Sequence, residues 1–145
     1  MKTKLVVLAI FSAFMLTSCE KEDEFLIDIS QVPSEIQTFV STHFPAQTIT
    51  RVIKETEGSA QTHDLYLDNL TKLEFNGTNK VVDIEGQSKL PDSLLSENIL
   101  IFVGLTYPDN YITGWELDDS NQQIQLNNGI EIEFNRNGNF LRIDE

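Results

Sequence analysis

The 145-residue chain holds one cysteine, Cys19, and two histidines, His43 and His63. It has ten lysines and arginines against 23 aspartates and glutamates. A lone cysteine cannot close an intramolecular disulfide, and neither histidine stands in an HExxH or H-x-H arrangement. The spacing that zinc coordination needs is therefore missing. There is no glycine-rich phosphate loop and no G-x-S-x-G elbow, so phosphoryl transfer and serine hydrolysis lack their usual sequence frames. His63 adjoins Asp64, but neighbours along a strand point to opposite faces, and the residue reads as an exposed strand histidine. The shortage of positive charge, net −13, repels nucleic acid and anionic headgroups. No catalytic residue is expected, and no cofactor or metal ligand is assigned.

Long apolar runs are also scarce. The one present, "LVVLAIFSAFML" from Leu5 to Leu16, follows Lys2 and Lys4. At 12 residues it falls short of the ~20 that span a bilayer and reads as a secretory signal. Leu16-Thr17-Ser18-Cys19 resembles the bacterial lipobox; the plain alternative is an ordinary signal cleaved nearby, leaving a thiol. The expectation is a lipoprotein signal peptide at 1–18, with Cys19 acylated as the mature N-terminus and anchoring the chain to the membrane. Residues 19–31 then form a charged tether, beginning with Glu20, Lys21, Glu22, Asp23 and Glu24, too polar to bury. A lysine followed by acids resembles the export signal of surface lipoproteins in Bacteroidetes, although a solvated linker explains it equally. The expected location is the cell envelope, on either side of the outer membrane. Without residues 1–18 the charge becomes 8 − 23 = −15, which suits a basic protein, a divalent cation or a neutral ligand.

Residues 32–145 are of a size for one compact domain and divide into two related halves, 32–89 and 90–145. Phe44-Pro45 matches Tyr107-Pro108, and Ile49 matches Ile112. Leu67 and Asn69 match Leu126 and Asn128, and "KLEFN" at 72–76 matches "EIEFN" at 131–135. In each half a helical period precedes a period of two. Ile36, Phe39 and Val40 fall at i, i+3 and i+4, with Pro33 suited to the first helical position. Ile99, Phe102 and Val103 repeat the stripe. Then Leu65 and Leu67, Leu73 and Phe75, Ile124 and Leu126, and Ile130, Ile132 and Phe134 alternate with polar residues. Asn128-Gly129 marks a hairpin turn, and "NRNG" (135–138) corresponds to "NGTN" (76–79). Each half is expected as one helix with three or four antiparallel strands.

This order of proline-led helix, aromatic-Pro, isoleucine, "YxLxN" and "xIEFNxxGxF" resembles the PepSY-like domains of Bacteroidetes lipoproteins, here as a tandem pair over roughly residues 32 to 145. The resemblance implies an α+β fold in which two helix-plus-strand repeats form one curved sheet with both helices on one face. It also implies a non-enzymatic module, since related folds include peptidase propeptides and a β-lactamase inhibitor protein that grips another protein. The chain departs from the usual pattern at Asn76 and Asn135, where Asp is frequent, and at Val81 and Phe140, where Trp is frequent.

Alternation places Asp64, Tyr66, Lys72, Glu74, Gln123, Gln125, Glu131 and Glu133 on the face away from the helices. These are the expected protein-binding residues of a monomeric globule, with an unidentified extracytoplasmic protein as partner. Glu131 and Glu133 stand about 7 Å apart, a separation also compatible with paired carboxylates in hydrolysis, but strand amphipathicity already accounts for them. The alternative function is a calcium- or small-ligand-responsive module. "NRNGN" echoes the opening of an EF-hand loop, yet supplies asparagines where carboxylates are needed; Glu116, Asp118 and Asp119 form a second acidic cluster. Both read as turns before cation sites. For the anchor, Cys19→Ala is expected to abolish incorporation of labelled fatty acid while leaving the fold unchanged. Undiminished labelling of that variant would remove the lipoprotein reading.

Overall fold

The computed structural model describes residues 23–57 and 59–144; Cys19 and the expected signal lie outside the described residues. Nine strands form a single antiparallel sheet in chain order. They are β1 (Asp23–Leu26), β2 (Ile49–Glu57), β3 (Ala60–Leu67), β4 (Lys72–Phe75), β5 (Val81–Glu85), β6 (Ile112–Leu117), β7 (Asn121–Leu126), β8 (Glu131–Asn135) and β9 (Phe140–Asp144). Helix α1 (Ser34–His43) connects β1 to β2, and α2 (Glu97–Thr106) connects β5 to β6. The architecture is α+β with a curved open sheet, and each helix is followed by four strands.

The helices end for a common reason. Phe44 precedes Pro45 and Tyr107 precedes Pro108, and a residue before proline is disfavoured in the helical region. Both leave it, at φ −127°, ψ 53° and φ −130°, ψ 59°, while their N–H groups still donate to the carbonyls of Val40 and Val103. Pro33 caps α1 from one position earlier than expected: its ψ of 140° is extended, and helical residues begin at Ser34. Ile36 and Val40, like Ile99 and Val103, are buried, as the i, i+4 stripe requires.

One apolar row organises the sheet. Val52, Leu65, Leu73, Ile84, Trp115, Ile124, Ile132 and Ile143 stand side by side across β2 to β9. They share one face, and most are fully buried. Phe75 and Phe134 lie next to this row; each meets a helix phenylalanine edge-on, Phe39 and Phe102 respectively, with centroids 5.4 Å apart in both pairs. Both helices therefore cover the same face. Buried residues of both halves join in one core.

Two expectations are corrected. His63 is not an exposed strand residue: it is buried, 5 % exposed, because it is in phase with Leu65 and Leu67 on the helix side. Burial, with a smaller contribution from Lys54, holds its pKa below the usual histidine value. The segment 19–31 is not all tether. From Asp23 it forms β1 along β2, then a 3-10 turn at Ile29–Gln31 closed by an Asp28–Gln31 capping box. Two contacts explain this: Ile27 packs against the core while Phe25 and Leu26 stay exposed, and β1 covers backbone groups that β2 would otherwise leave unpaired.

The turns follow shared rules. Asn76 and Asn135 each accept two backbone N–H bonds through their side-chain oxygens, from Thr78 and Lys80 and from Asn137 and Asn139. The left-handed residue is Asn79 in the first turn and Gly138 in the second. In the β3–β4 and β7–β8 hairpins the left-handed positions are Leu70, at φ 67°, and Gly129, at φ 86°. A left-handed conformation costs a non-glycine residue about 1–2 kcal/mol, and Leu70 is 67 % exposed, so packing recovers little. Leu70→Gly is therefore expected to raise stability by about 0.5–1 kcal/mol after the entropy cost of glycine. Chemical denaturation checks this; a loss of stability would show that the Leu70 side chain has a packing role.

Candidate binding face

The face away from the helices is built by the same alternation. All eight residues expected there, Asp64, Tyr66, Lys72, Glu74, Gln123, Gln125, Glu131 and Glu133, lie on it and are half-buried or exposed. Strand register arranges them in two lateral rows. One runs Asp64, Glu74, Asp83, Glu116, Gln123, Glu133, Arg142 across β3 to β9. The other runs Tyr66, Lys72, Glu85, Gly114, Gln125, Glu131, Asp144.

Positive charge sits at the flanks. Lys72 Nζ lies 3.0 Å from Asp64 and also pairs with Glu74. Burial opposes its ammonium, but hydrogen bonds to Glu74 and Asp64 prevail and raise its pKa above the usual lysine value. Arg51 stacks on Tyr66, 4.8 Å from the ring centroid. At the other end Arg142 pairs with Glu133, which also accepts from Asn121. These bonds, Arg142 foremost, lower the Glu133 pKa. Glu131 accepts from Gln123 at 2.7 Å and Gln125 at 3.5 Å.

The centre is different. Asp83 stands directly between Glu74 and Glu116, with Glu85 two residues along its own strand. Among the described residues no cation pairs with Asp83, Glu85 or Glu116. Like charges directly opposite destabilise a strand pair. At Asp83 burial, and after it repulsion from Glu74, Glu85 and Glu116, pushes the pKa up to about 6. Beside these carboxylates is a cleft of about 110 Å³ lined also by Gly114, Gln123, Gln125 and Glu131; Gln125 packs close over Gly114, where an added Cβ would lie 3.2 Å from its Cβ. Asp83 and Glu85 were missed among the expected face residues. The signal was present in "VVDIE", where both are out of phase with buried Ile84.

The calcium candidates have other occupations. Asn135 caps its own turn, and Arg136 Nη2 donates to the carbonyls of Asp118 and Asp119, each at 2.9 Å. A cationic side chain therefore already serves the Asp118–Asp119 backbone. Among the described residues no group of three or more histidine, cysteine, aspartate or glutamate side chains is placed to hold a metal ion, and no helix is long and apolar enough to cross a membrane.

The chain belongs to the family described as "Putative beta-lactamase-inhibitor-like, PepSY-like", whose model matches residues 15–61 and 61–142. Among solved structures it is similar to a "putative periplasmic protein" of the DUF2874 family from Bacteroides vulgatus. The two are 30 % identical, with a TM-score of 0.77 over 85 % of this chain and 98 % of that one. A "putative calcium-regulated periplasmic protein" from Bacteroides thetaiotaomicron shares 22 % identity at a TM-score of 0.79, over 84 % of this chain and 97 % of that one. A "putative periplasmic protein of unknown function" from Bacteroides vulgatus shares 19 % identity at 0.79, over 85 % and 100 %. No curated protein matched the chain.

Lys72 is the cation that holds the acidic row together at its first-half end. Lys72→Gln leaves Asp64, 13 % exposed in its side chain, facing Glu74 with no counter-charge. The expected loss is about 1–2 kcal/mol near neutral pH, between the values for surface and buried ion pairs. Urea unfolding measures it, and an unchanged midpoint would mean that solvent already screens the three groups.

Proposed function

We propose that the chain is a non-enzymatic module of the cell envelope that binds a basic protein through the polar face of its sheet. The observation that carries this reading is the set of carboxylates at the centre of the face, Asp83, Glu85 and Glu116: among the described residues none of them forms a salt bridge, and Lys72, opposite Glu85, is bound to Asp64 and Glu74 instead. A partner supplying lysine or arginine there would relieve repulsion already present in the free protein, and electrostatic complementarity of this kind raises association rates and fixes partner choice. The inhibitor-like family and the periplasmic descriptions of similar proteins support an extracytoplasmic setting. The lipobox resemblance supports a lipid anchor at Cys19, and the lysine-acid run after it supports the outer membrane. Inhibition of the bound protein is one consequence such a grip could have.

We also read the two halves as an internal duplication. Supporting it, β-bulges fall at matching places, Ile49/Arg51 with Ile112/Gly114 and Glu74/Phe75 with Glu133/Phe134. The helix-end geometry and edge-on phenylalanine pairs also agree. The family-model segments divide inside β3, at residue 61, so the reading rests on geometry.

A second reading, a calcium- or small-ligand-responsive module, is favoured by the description of the Bacteroides thetaiotaomicron protein as calcium-regulated. One experiment separates the two. A partner captured by crosslinking in the native envelope, with and without calcium, is compared on wild type and on the Glu85→Lys, Glu116→Lys double variant. Both positions are exposed and tolerate substitution. The protein-binding reading expects association to slow by about tenfold at low salt with reduced salt dependence. Equal rates with both proteins folded would exclude the centre of the face, and capture that requires calcium would favour the second reading.

A further inference from the structure

The β5–β6 pairing joins the two halves of the sheet, and its register is short. Asp83 faces Glu116, Ile84 faces Trp115 and Glu85 faces Gly114. On the helix side the joint is apolar and closed. On the polar side it brings carboxylates together: Asp83 has Glu74 opposite it on β4 and Glu116 opposite it on β6, with Glu85 on its own strand. Lys72 of β4 stands opposite Glu85 but is engaged by Asp64 and Glu74. From β7 and β8 the cleft beside the joint receives Gln123, Gln125 and Glu131.

We propose that this joint is proton-sensitive: a proton on Asp83 tightens the β5–β6 pairing and weakens the hold of the polar face on a cationic partner. The second half of the statement rests on the binding function proposed above; the first half stands without it. Protonation removes the central charge of a row of three directly facing carboxylates, and the neutral acid can donate a hydrogen bond to one of its neighbours. The sign follows from where Asp83 titrates. Its folded pKa, about 6, lies above the ordinary aspartate value of 3.8, so the native state binds more protons than the unfolded state between those values. Asp83 therefore contributes growing stability as pH falls through that window, and its destabilising effect is complete above it. A cationic partner favours the ionised form, so by linkage its binding expels the proton and strengthens as pH rises through the same window. His63 acts in the opposite sense: buried with a lowered pKa, it loses stability as pH falls below its unfolded value of 6.5. The comparison must therefore be made against a variant that keeps His63.

The test follows the Asp83 side-chain carboxyl by carbon NMR in the wild-type protein, and thermal unfolding of wild type and Asp83→Asn from about pH 7 to about pH 4.5. The proposal expects an Asp83 midpoint of about 6. It expects Asp83→Asn to melt higher than wild type at neutral pH, with the difference closing on acidification. A lysine-rich peptide used as probe should bind wild type several-fold more weakly at about pH 5 than at about pH 7, with a smaller change for Asp83→Asn. An Asp83 midpoint in the ordinary carboxylate range, or parallel melting profiles, would overturn the proton-sensitive joint. A midpoint of about 6 with no peptide binding at either pH would uphold the joint and overturn the binding reading. Should Asp83→Asn fail to fold, the wild-type NMR midpoint decides alone.

Discussion

Everything in this protein depends on the apolar row that runs from Val52 on β2 to Ile143 on β9, one residue from each of eight neighbouring strands. Because side chains alternate along a strand, fixing that row under the helices also fixes what faces water. A slip of one residue in β4 or β8 would bury a glutamate and expose Leu73 or Ile132. The register of the polar face is thus a by-product of the core, held by burial of residues such as Leu65, Leu73 and Ile132, all 0 % exposed.

The same coupling explains why the centre of the polar face can hold facing carboxylates at all. Repulsion among Glu74, Asp83 and Glu116 acts through partly solvated space, where each charge pair costs about 1–4 kcal/mol or less. Ile84 between them on the opposite face is 1 % exposed and belongs to the core. Burial of a side chain of that size contributes roughly 1.5–3 kcal/mol, with neighbouring rows adding more. The fold tolerates an unfavourable arrangement at the joint because the helix side of the joint is strongly favourable. Flanking cations, Lys72 and Arg142, neutralise the ends of the row and leave the middle unmatched.

Much of this was legible in the sequence. The helix stripes Ile36/Phe39/Val40 and Ile99/Phe102/Val103, the aromatic-Pro helix ends and the alternation around "KLEFN" and "EIEFN" carried enough periodicity to give one helix and its strands in each half, while the placement of both helices on one side came from the family resemblance. The first strand of each unit, β2 and β6, was less clear, because Ile49 and Ile112 are each followed by a bulge that interrupts the alternation. Strand β1 was obscured by charge: pairing at an edge needs backbone groups, which composition does not display. His63 was misread because a polar residue in phase with leucines was judged by its type instead of its parity. Asp83 and Glu85 were overlooked because "VVDIE" begins with two adjacent valines, which hide the period. The cross-strand neighbours of these acids, and so the joint itself, depend on which strands pair, and local pattern carries no such information.

The central claim is that the two halves share one core across the β5–β6 joint and fold as one unit. Trp115, the sole tryptophan, sits at the joint in the second half, with its indole N–H donating to Gln122 at 3.0 Å. Phe75, 1 % exposed, lies in the first half, under α1. The decisive measurement is urea unfolding of wild type and Phe75→Ala, followed both by Trp115 fluorescence and by far-UV circular dichroism. A shared core predicts that the variant loses about 3–5 kcal/mol and that both signals shift together to the same lower midpoint. A Trp115 transition that stays at its wild-type midpoint while the dichroism signal divides into two steps would contradict it.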